Sequence, residues 1–196
     1  MIKFLLCFLI SALLPSSIID TVWIDDTLST MSWIGNKVTG SHNGKIKIKN
    51  GYILKKDDLL MGGEIIIDMN SISVDDIEHP KWNEGLVSHL KNEDFFHVDK
   101  FSVSKLKITS SRKSFIDDKM SSNIEIFSDL TIKNITKPIS FHAYVDFERN
   151  ESSGELIIDR TKWNIKYGSS SFFKDLGDRA IYDDFIINFK LVSKKD

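Results

Sequence analysis

The chain has 196 residues, 41% of them hydrophobic, with a formal charge of −2 from 26 Lys and Arg against 28 Asp and Glu. That length suits one ordinary domain, and the balanced charge leaves nucleic-acid binding without an electrostatic footprint. No basic block suggests an arm for anionic membranes, and no internal repeat or low-complexity linker is evident.

Lys3 precedes an apolar run over 4–14, closed by Pro15, Ser16 and Ser17. A basic start, a short apolar stretch and a small-residue exit predict a secretory signal peptide over 1–17, leaving a domain at 18–196. The run falls short of the roughly 20 apolar residues that a membrane span needs, so the mature chain is expected to have no integral span. A retained anchor is the alternative. Cys7, the sole cysteine, follows bulky Leu6 with little hydrophobic sequence ahead of it, which rejects lipidation there. The mature domain then has no cysteine and stands on its core without disulfides. That suits export to a bacterial periplasm, cell envelope or extracellular space.

The rest of the chain alternates. Residues 31–35 predict a first strand, and 37–49 a second, with Ile46 and Ile48 set between Lys45, Lys47 and Lys49. Asn50-Gly51 is a turn signal, followed by further strand at 52–54. Residues 59–69 form another strand, in which Gly62-Gly63 marks a bulge or sharp bend. The period then changes. Trp82, Leu86 and Leu90 lie four apart behind Pro80, which predicts a short helix over 82–92 that delivers Phe95 and Phe96.

Strands resume at 101–109, where apolar parity switches between Val103 and Leu106 as a bulge would make it. Residues 123–132 follow, with Ile124, Ile126, Ser128 and Leu130 together, and 133–136 turn the chain into the strand of Ile139, Phe141, Ala143, Val145 and Phe147. A turn at 150–154 leads to strands at 155–160 and 163–167, or one bent strand. A loop over 168–179 carries Phe172-Phe173, and the last strand has Phe185, Ile187, Phe189 and Leu191 on one face.

About eight strands with one face apolar and one wet need a common interior. The expected fold is all-β, an eight-stranded antiparallel barrel with a short helical insertion; a sandwich filled by its own side chains is the alternative.

Several segments carry a resemblance. Gly40-Ser41-His42-Asn43-Gly44, Asp94-Phe95-Phe96 after the helix, and Lys100-Phe101-Ser102 are three of them. Leu130-Thr131-Ile132-Lys133-Asn134-Ile135-Thr136-Lys137-Pro138 is a fourth, and Arg160-Thr161-Lys162-Trp163-Asn164-Ile165-Lys166-Tyr167-Gly168 a fifth. Together, in this order from about Thr27 to Val192, they resemble the YceI-like family of exported, lipocalin-like barrels. Ser102 and Asn134 depart from that family's usual proline and glycine. Asparagine tolerates the left-handed conformation that such a hairpin needs.

The resemblance implies a helix over one end of the barrel, an apolar channel inside, and a polyisoprenoid-type ligand. Its expected partner is an apolar lipid, a polyisoprenoid or isoprenoid quinone precursor, held for storage, transport or sensing. No cofactor is expected, and a homodimer is left open. Candidate channel residues are Trp33, Phe101, Phe127, Phe141, Trp163 and Phe189, with Phe95, Phe96, Phe172 and Phe173 at its ends or under its lids, and Tyr167 as a further ligand contact able to donate to a head group at the mouth. Each has the alternative reading of plain core packing, and Phe127 shares its face with Glu125 and Asp129. Head-group candidates are His42, Arg160 and Asn164; Arg160 has the alternative of a structural ion pair.

Enzyme signatures are missing. His79, His89 and His97 are spaced ten and eight apart, which does not set two on one helical face as metal ligands. There is no Gly-x-Ser-x-Gly elbow, no phosphate-cradling glycine loop and no cysteine nucleophile in the mature domain. The chain is read as a binding protein and not an enzyme. A ligand-free structural barrel of the envelope is the alternative, followed by a lipid-acting hydrolase.

Overall fold

Ile124, Ile126, Ser128, Leu130 and Ile132 are buried while the residues between them are only partly so, which is a strand with one face turned inward. The same logic repeats round the molecule. The computed structural model describes residues 18–114 and 122–194. The expected signal peptide, Cys7 included, lies outside the described residues.

Among the described residues, ten strands form one antiparallel sheet. They are β1 (Asp20–Trp23), β2 (Thr30–Lys37), β3 (Gly40–Lys45), β4 (Lys47–Lys56) and β5 (Leu59–Asp68), then β6 (Val103–Lys113), β7 (Ile124–Ile132), β8 (Ile135–Asp146), β9 (Glu151–Asp159) and β10 (Ile181–Val192). Neighbours run β1-β4-β5-β6-β7-β8-β9-β10-β2-β3. One helix, α1 (Pro80–Lys91), is inserted between β5 and β6.

The strand order ends on β1 and β3, yet β3 runs into β4 through the single residue Ile46. The Ile46 amide donates to the Met31 carbonyl of β2 at 3.2 Å, and its side chain is buried. At the other margin β1 pairs with β4, and Ile24 bridges to Ser193 beyond β10. The sheet thus curls back on itself as a barrel. The ten strands exceed the expected eight because one long strand bends at Ile46 and because short β1 shows no alternation long enough to read. With β3 and β4 counted together and β1 set aside, eight strands make the wall.

Several local expectations change. Asn50-Gly51 does not turn the chain; it lies within β4, at a register shift against β5. A Cβ on Gly51 would sit 2.9 Å from the Glu64 carbonyl oxygen, so glycine there answers to the close approach of β5. The bulge expected before Leu106 lies instead between Ile108 and Ser110. Ser104, a polar residue on the inward face, hid the true parity; its hydroxyl donates to the Met69 sulfur at 3.1 Å. Residues 163–167 are not a strand. β9 stops at Asp159, whose carboxylate caps a 3-10 turn, Arg160–Trp163, by accepting from the Thr161 amide at 3.0 Å. Asn164 ends that turn at φ 59°.

Other expectations hold. Lys133 and Asn134 have φ of 50° and 59°, as a tight hairpin between β7 and β8 requires. β4 shifts register opposite Gly62, at the bulge expected there. Helix α1 begins with Pro80 in its first turn, where a missing amide costs nothing. Its stripe dips into the barrel end: Leu90 is buried, Leu86 partly so, and Trp82 remains 69% exposed. Asn83 ties the helix to the preceding loop by donating to the Val74 and Ile77 carbonyls at 2.8 and 3.0 Å.

That loop leans directly on β3. A Cβ on Gly44 would lie 1.9 Å from the Ser73 carbonyl oxygen and 2.9 Å from the Trp33 indole nitrogen. The same indole donates to the Ser73 carbonyl at 3.0 Å. Gly44→Ala is therefore expected to push the loop off β3 and to destabilise the fold by about 1–3 kcal/mol, as overpacking does. Urea unfolding at matched buffer measures it, and a change below about 0.5 kcal/mol would show that the loop yields freely.

Candidate ligand cavity

The inward faces do not close on one another. They leave a cavity of about 230 Å³ inside the barrel. For scale, an apolar cavity of roughly 150 Å³ stays dry and admits benzene. The wall is built from Met31 and Trp33 of β2, Ile65 of β5, Ile126 of β7, Phe141 of β8 and Phe189 of β10, among others. Phe141 and Phe189 meet edge to face, 6.1 Å between ring centres. Away from one end, the polar lining residues are Ser104, turned to sulfur, and Ser152.

The other polar lining groups gather at the end where β2 stops and β10 starts. Asn36, Lys37, His42, Arg160, Tyr182 and Asp184 all line the cavity there. Strand pairing brings them together: His42 opposes Gly35, and Ile181 opposes Lys37. Helix α1 and the turn after it lie over this end, with Leu86 and Leu90 of the helix and Phe95 and Phe96 of the turn facing the void. Phe96 packs edge to face on Phe185 of β10, and His89 sits 4.5 Å from the Tyr167 ring.

Two side-chain pairs fix the rim. His42 Nδ1 lies 2.8 Å from the Asp76 carboxylate, whose other oxygen accepts from the Asn43 amide at 2.9 Å. Burial pushes the Asp76 carboxyl up, but the Asn43 amide and the His42 ring outweigh it and hold the group below its ordinary value. Arg160 is the second anchor, with only 4% of its surface exposed. Its guanidinium donates to the carbonyls of Ile165 at 2.9 Å, Ile181 at 3.0 Å and Tyr182 at 3.1 Å. Asp183 lies 3.7 Å away and also accepts from the Ser171 hydroxyl at 2.5 Å. Burial pulls the guanidinium below its usual value, with Asp183 and Asp159 opposing that shift. It remains charged at neutral pH.

A family model for the YceI-like domain matches residues 23–193. The chain belongs to the YceI-like family. Among solved structures it is similar to BcnA of Burkholderia cenocepacia, with TM-score 0.58 and 16% identity over 86% of this chain and 98% of that one. It is also similar to a polyisoprenoid binding domain from Saccharophagus degradans implicated in plant cell wall breakdown, with TM-score 0.61 and 12% identity over 89% and 98% of the two chains. At such identities the likeness is one of fold. No curated protein sequence matches the chain.

The structure of this YceI-like chain places the residues singled out in its sequence in three groups. Trp33, Phe95, Phe96, Phe141 and Phe189 line the cavity, as do His42 and Arg160. Trp163 is 1% exposed and packs in the core, its indole donating to the Leu130 carbonyl at 3.2 Å. It supports the wall without facing the void. Phe101, Phe127, Asn164, Tyr167, Phe172 and Phe173 are away from the lining. Phe101 precedes β6 and packs on His97, while Phe127 points out of the barrel beneath the Arg112 guanidinium, 5.3 Å from it. Asn164 is a turn cap, and Tyr167 braces His89 and Phe95 from outside. Phe172 and Phe173 stand exposed on the loop over 168–180.

Sequence reasoning missed most of the wall, which is aliphatic. Face parity was the available signal: Ile126 and Leu130 share a face with Ile124, and Ile187 with Phe189. Among the described residues no group of three His, Cys, Asp or Glu side chains is placed to hold a metal ion. No helix among them is long and apolar enough to cross a membrane.

Proposed function

We propose that this protein is exported and holds an apolar lipid, a polyisoprenoid or isoprenoid quinone precursor, inside its barrel for storage, transport or sensing. The observation that carries this reading is the hydrocarbon-walled void whose charged lining groups, Lys37, His42, Arg160 and Asp184, gather at one end. Moving an apolar chain from water into such a space is worth about 25 cal/mol per Å² of area removed from water. A branched hydrocarbon asks nothing of the wall but contact, and the wall offers little else. The polyisoprenoid binding domain of similar fold supports the same ligand class. The basic residue and apolar run ahead of the domain support export.

The rim favours a head without strong negative charge. His42 is engaged by Asp76, Arg160 by Asp183 and three carbonyls, and Asp184 adds a carboxylate to the same mouth. A pyrophosphate would meet Lys37 as its main cation there. Binding without catalysis is the reading adopted, because a hydrocarbon wall offers a ligand contact rather than reacting groups.

Native mass spectrometry of gently purified protein tests it. The expected result is a retained, non-covalent mass that organic solvent extracts and that added isoprenoid quinone replaces. An apo mass from several expression hosts, with no uptake of isoprenoids, would make the barrel a ligand-free scaffold.

A further inference from the structure

The apolar surface does not stop at the cavity mouth. Tyr182 and Lys37 both line the void, and their neighbours carry it outward. The Val38 amide donates to the Ala180 carbonyl at 3.1 Å, and the Ile181 amide to the Gly168 carbonyl at 2.8 Å. These bonds lay the loop over 168–180 along the rim. On that rim Val38, Phe172, Phe173 and Tyr182 are each about half exposed, at 51, 49, 49 and 55%. Helix α1 adds Trp82 at the same end of the barrel, at the outer turn of the stripe whose Leu86 and Leu90 face the void. Large apolar side chains gathered in this way mark an interaction surface.

We propose that this end of the barrel docks on a lipid bilayer, burying Phe172, Phe173, Val38 and Tyr182 among the lipids so that the cavity mouth opens onto the membrane. The inference extends the lipid-holding reading above. Three observations select a bilayer as the occupant. Tyr182 is both exposed at the rim and part of the cavity lining, and a ligand that water excludes moves most readily between two apolar phases that touch. Charge on the loop and beside it is mixed: Lys174 and Arg179 with Asp175 and Asp178 on the loop, flanked by Lys166 before it and Asp183 and Asp184 of β10 after it. Such a surface has no single sign to attract a strongly charged macromolecule, and leaves apolar insertion as the driving force. The chemistry also fits the headgroup layer, where aromatic rings settle with their polar ends toward water. The Lys166 ammonium lies 4.6 Å over the Phe172 ring, so the ring can enter the lipid while the ammonium stays at the surface.

Position-resolved labelling of the full chain tests the proposal. With Cys7→Ser removing the sole native thiol, Phe173→Cys receives a polarity-sensitive fluorophore at the rim. Met61→Cys serves as the control at the opposite end; β5 runs from there toward Asp68, and the loop beyond it reaches the rim at His42. Both proteins carry the same N-terminal stretch, so any anchoring by that stretch is common to them. Phosphatidylcholine vesicles containing doxyl-labelled lipid are the probe. The expected result is a blue shift and loss of emission at position 173, with neither at position 61. No quenching at 173, or equal quenching at both, overturns the proposal. So does shielding of 173 without vesicles in a species that elutes as a dimer, since a second copy then covers the face. Retained lipid mass is read on the same labelled proteins, which separates failure of docking from failure of lipid binding.

Discussion

The proposed lipid-holding function predicts that Leu156→Trp abolishes lipid retention, while Ile157→Trp, one residue further along the same strand, leaves it intact. The two positions differ in the face of β9 that they occupy. Leu156 is 8% exposed, lines the cavity and stands opposite Ile187, another wall residue. Ile157 is 65% exposed on the outer face. Successive strand residues point to opposite sides, so the two indoles enter different solvents. Inside, the added ring occupies the volume that a lipid tail would use. The void that makes room for it also keeps the folding penalty toward the low end of the 1–3 kcal/mol typical of overpacking. Loss of retained lipid by about tenfold or more, near 1.4 kcal/mol in binding, is expected only for the inward variant. Native mass spectrometry reads retention and urea unfolding confirms that both variants fold. Equal retention by both variants would mean that the lipid sits elsewhere.

Strand alternation of this kind is visible in the sequence itself. β7, β8 and β10 were legible because each alternates without interruption over several residues, and along β7 and the second half of β8 buried residues alternate with more exposed ones. Helix α1 announced itself by a change of period and by Pro80. The hairpin at Lys133-Asn134 was legible because asparagine accepts positive φ at low cost. What failed were places where a long-range contact overrode a local signal. Asn50-Gly51 reads as a turn, but the close approach of β5 to Gly51 gives that glycine another reason to exist. Trp163 reads as the start of a strand, but Asp159 caps a 3-10 turn that points its indole at Leu130.

The site was less legible than the fold, for a related reason. Choosing aromatics as candidate ligand contacts weighs residue type above face. Phe127 is as aromatic as Phe141, yet its parity in β7 is that of Glu125 and Asp129, and it lies outside. Parity would have named Ile126 and Leu130 in its place. The bend at Ile46, which closes the wall, has no local signature beyond one isoleucine among lysines.

Arg160→Met is expected to cost about 3–5 kcal/mol of stability, the scale on which breaking a buried charged pair operates. A guanidinium carries five N–H donors, and here three are given to carbonyls of Ile165, Ile181 and Tyr182. Those acceptors belong to the segment after the 3-10 turn and to the start of β10, so one side chain holds both against the end of β9. Methionine fills similar space but offers no donor. It would leave those carbonyls unpaired and the Asp183 carboxylate, 3.7 Å from the guanidinium, without its cation. Arg160→Lys should recover little, because one ammonium cannot reproduce the planar fork that serves three divergent acceptors. Urea unfolding of both variants measures the loss, and parallel lipid retention separates two roles for the residue. A structural staple predicts loss of stability that tracks loss of lipid. A head-group ligand predicts a variant as stable as the parent, within about 0.5 kcal/mol, that has lost its lipid alone. The buried position of Arg160 and its committed donors favour the staple.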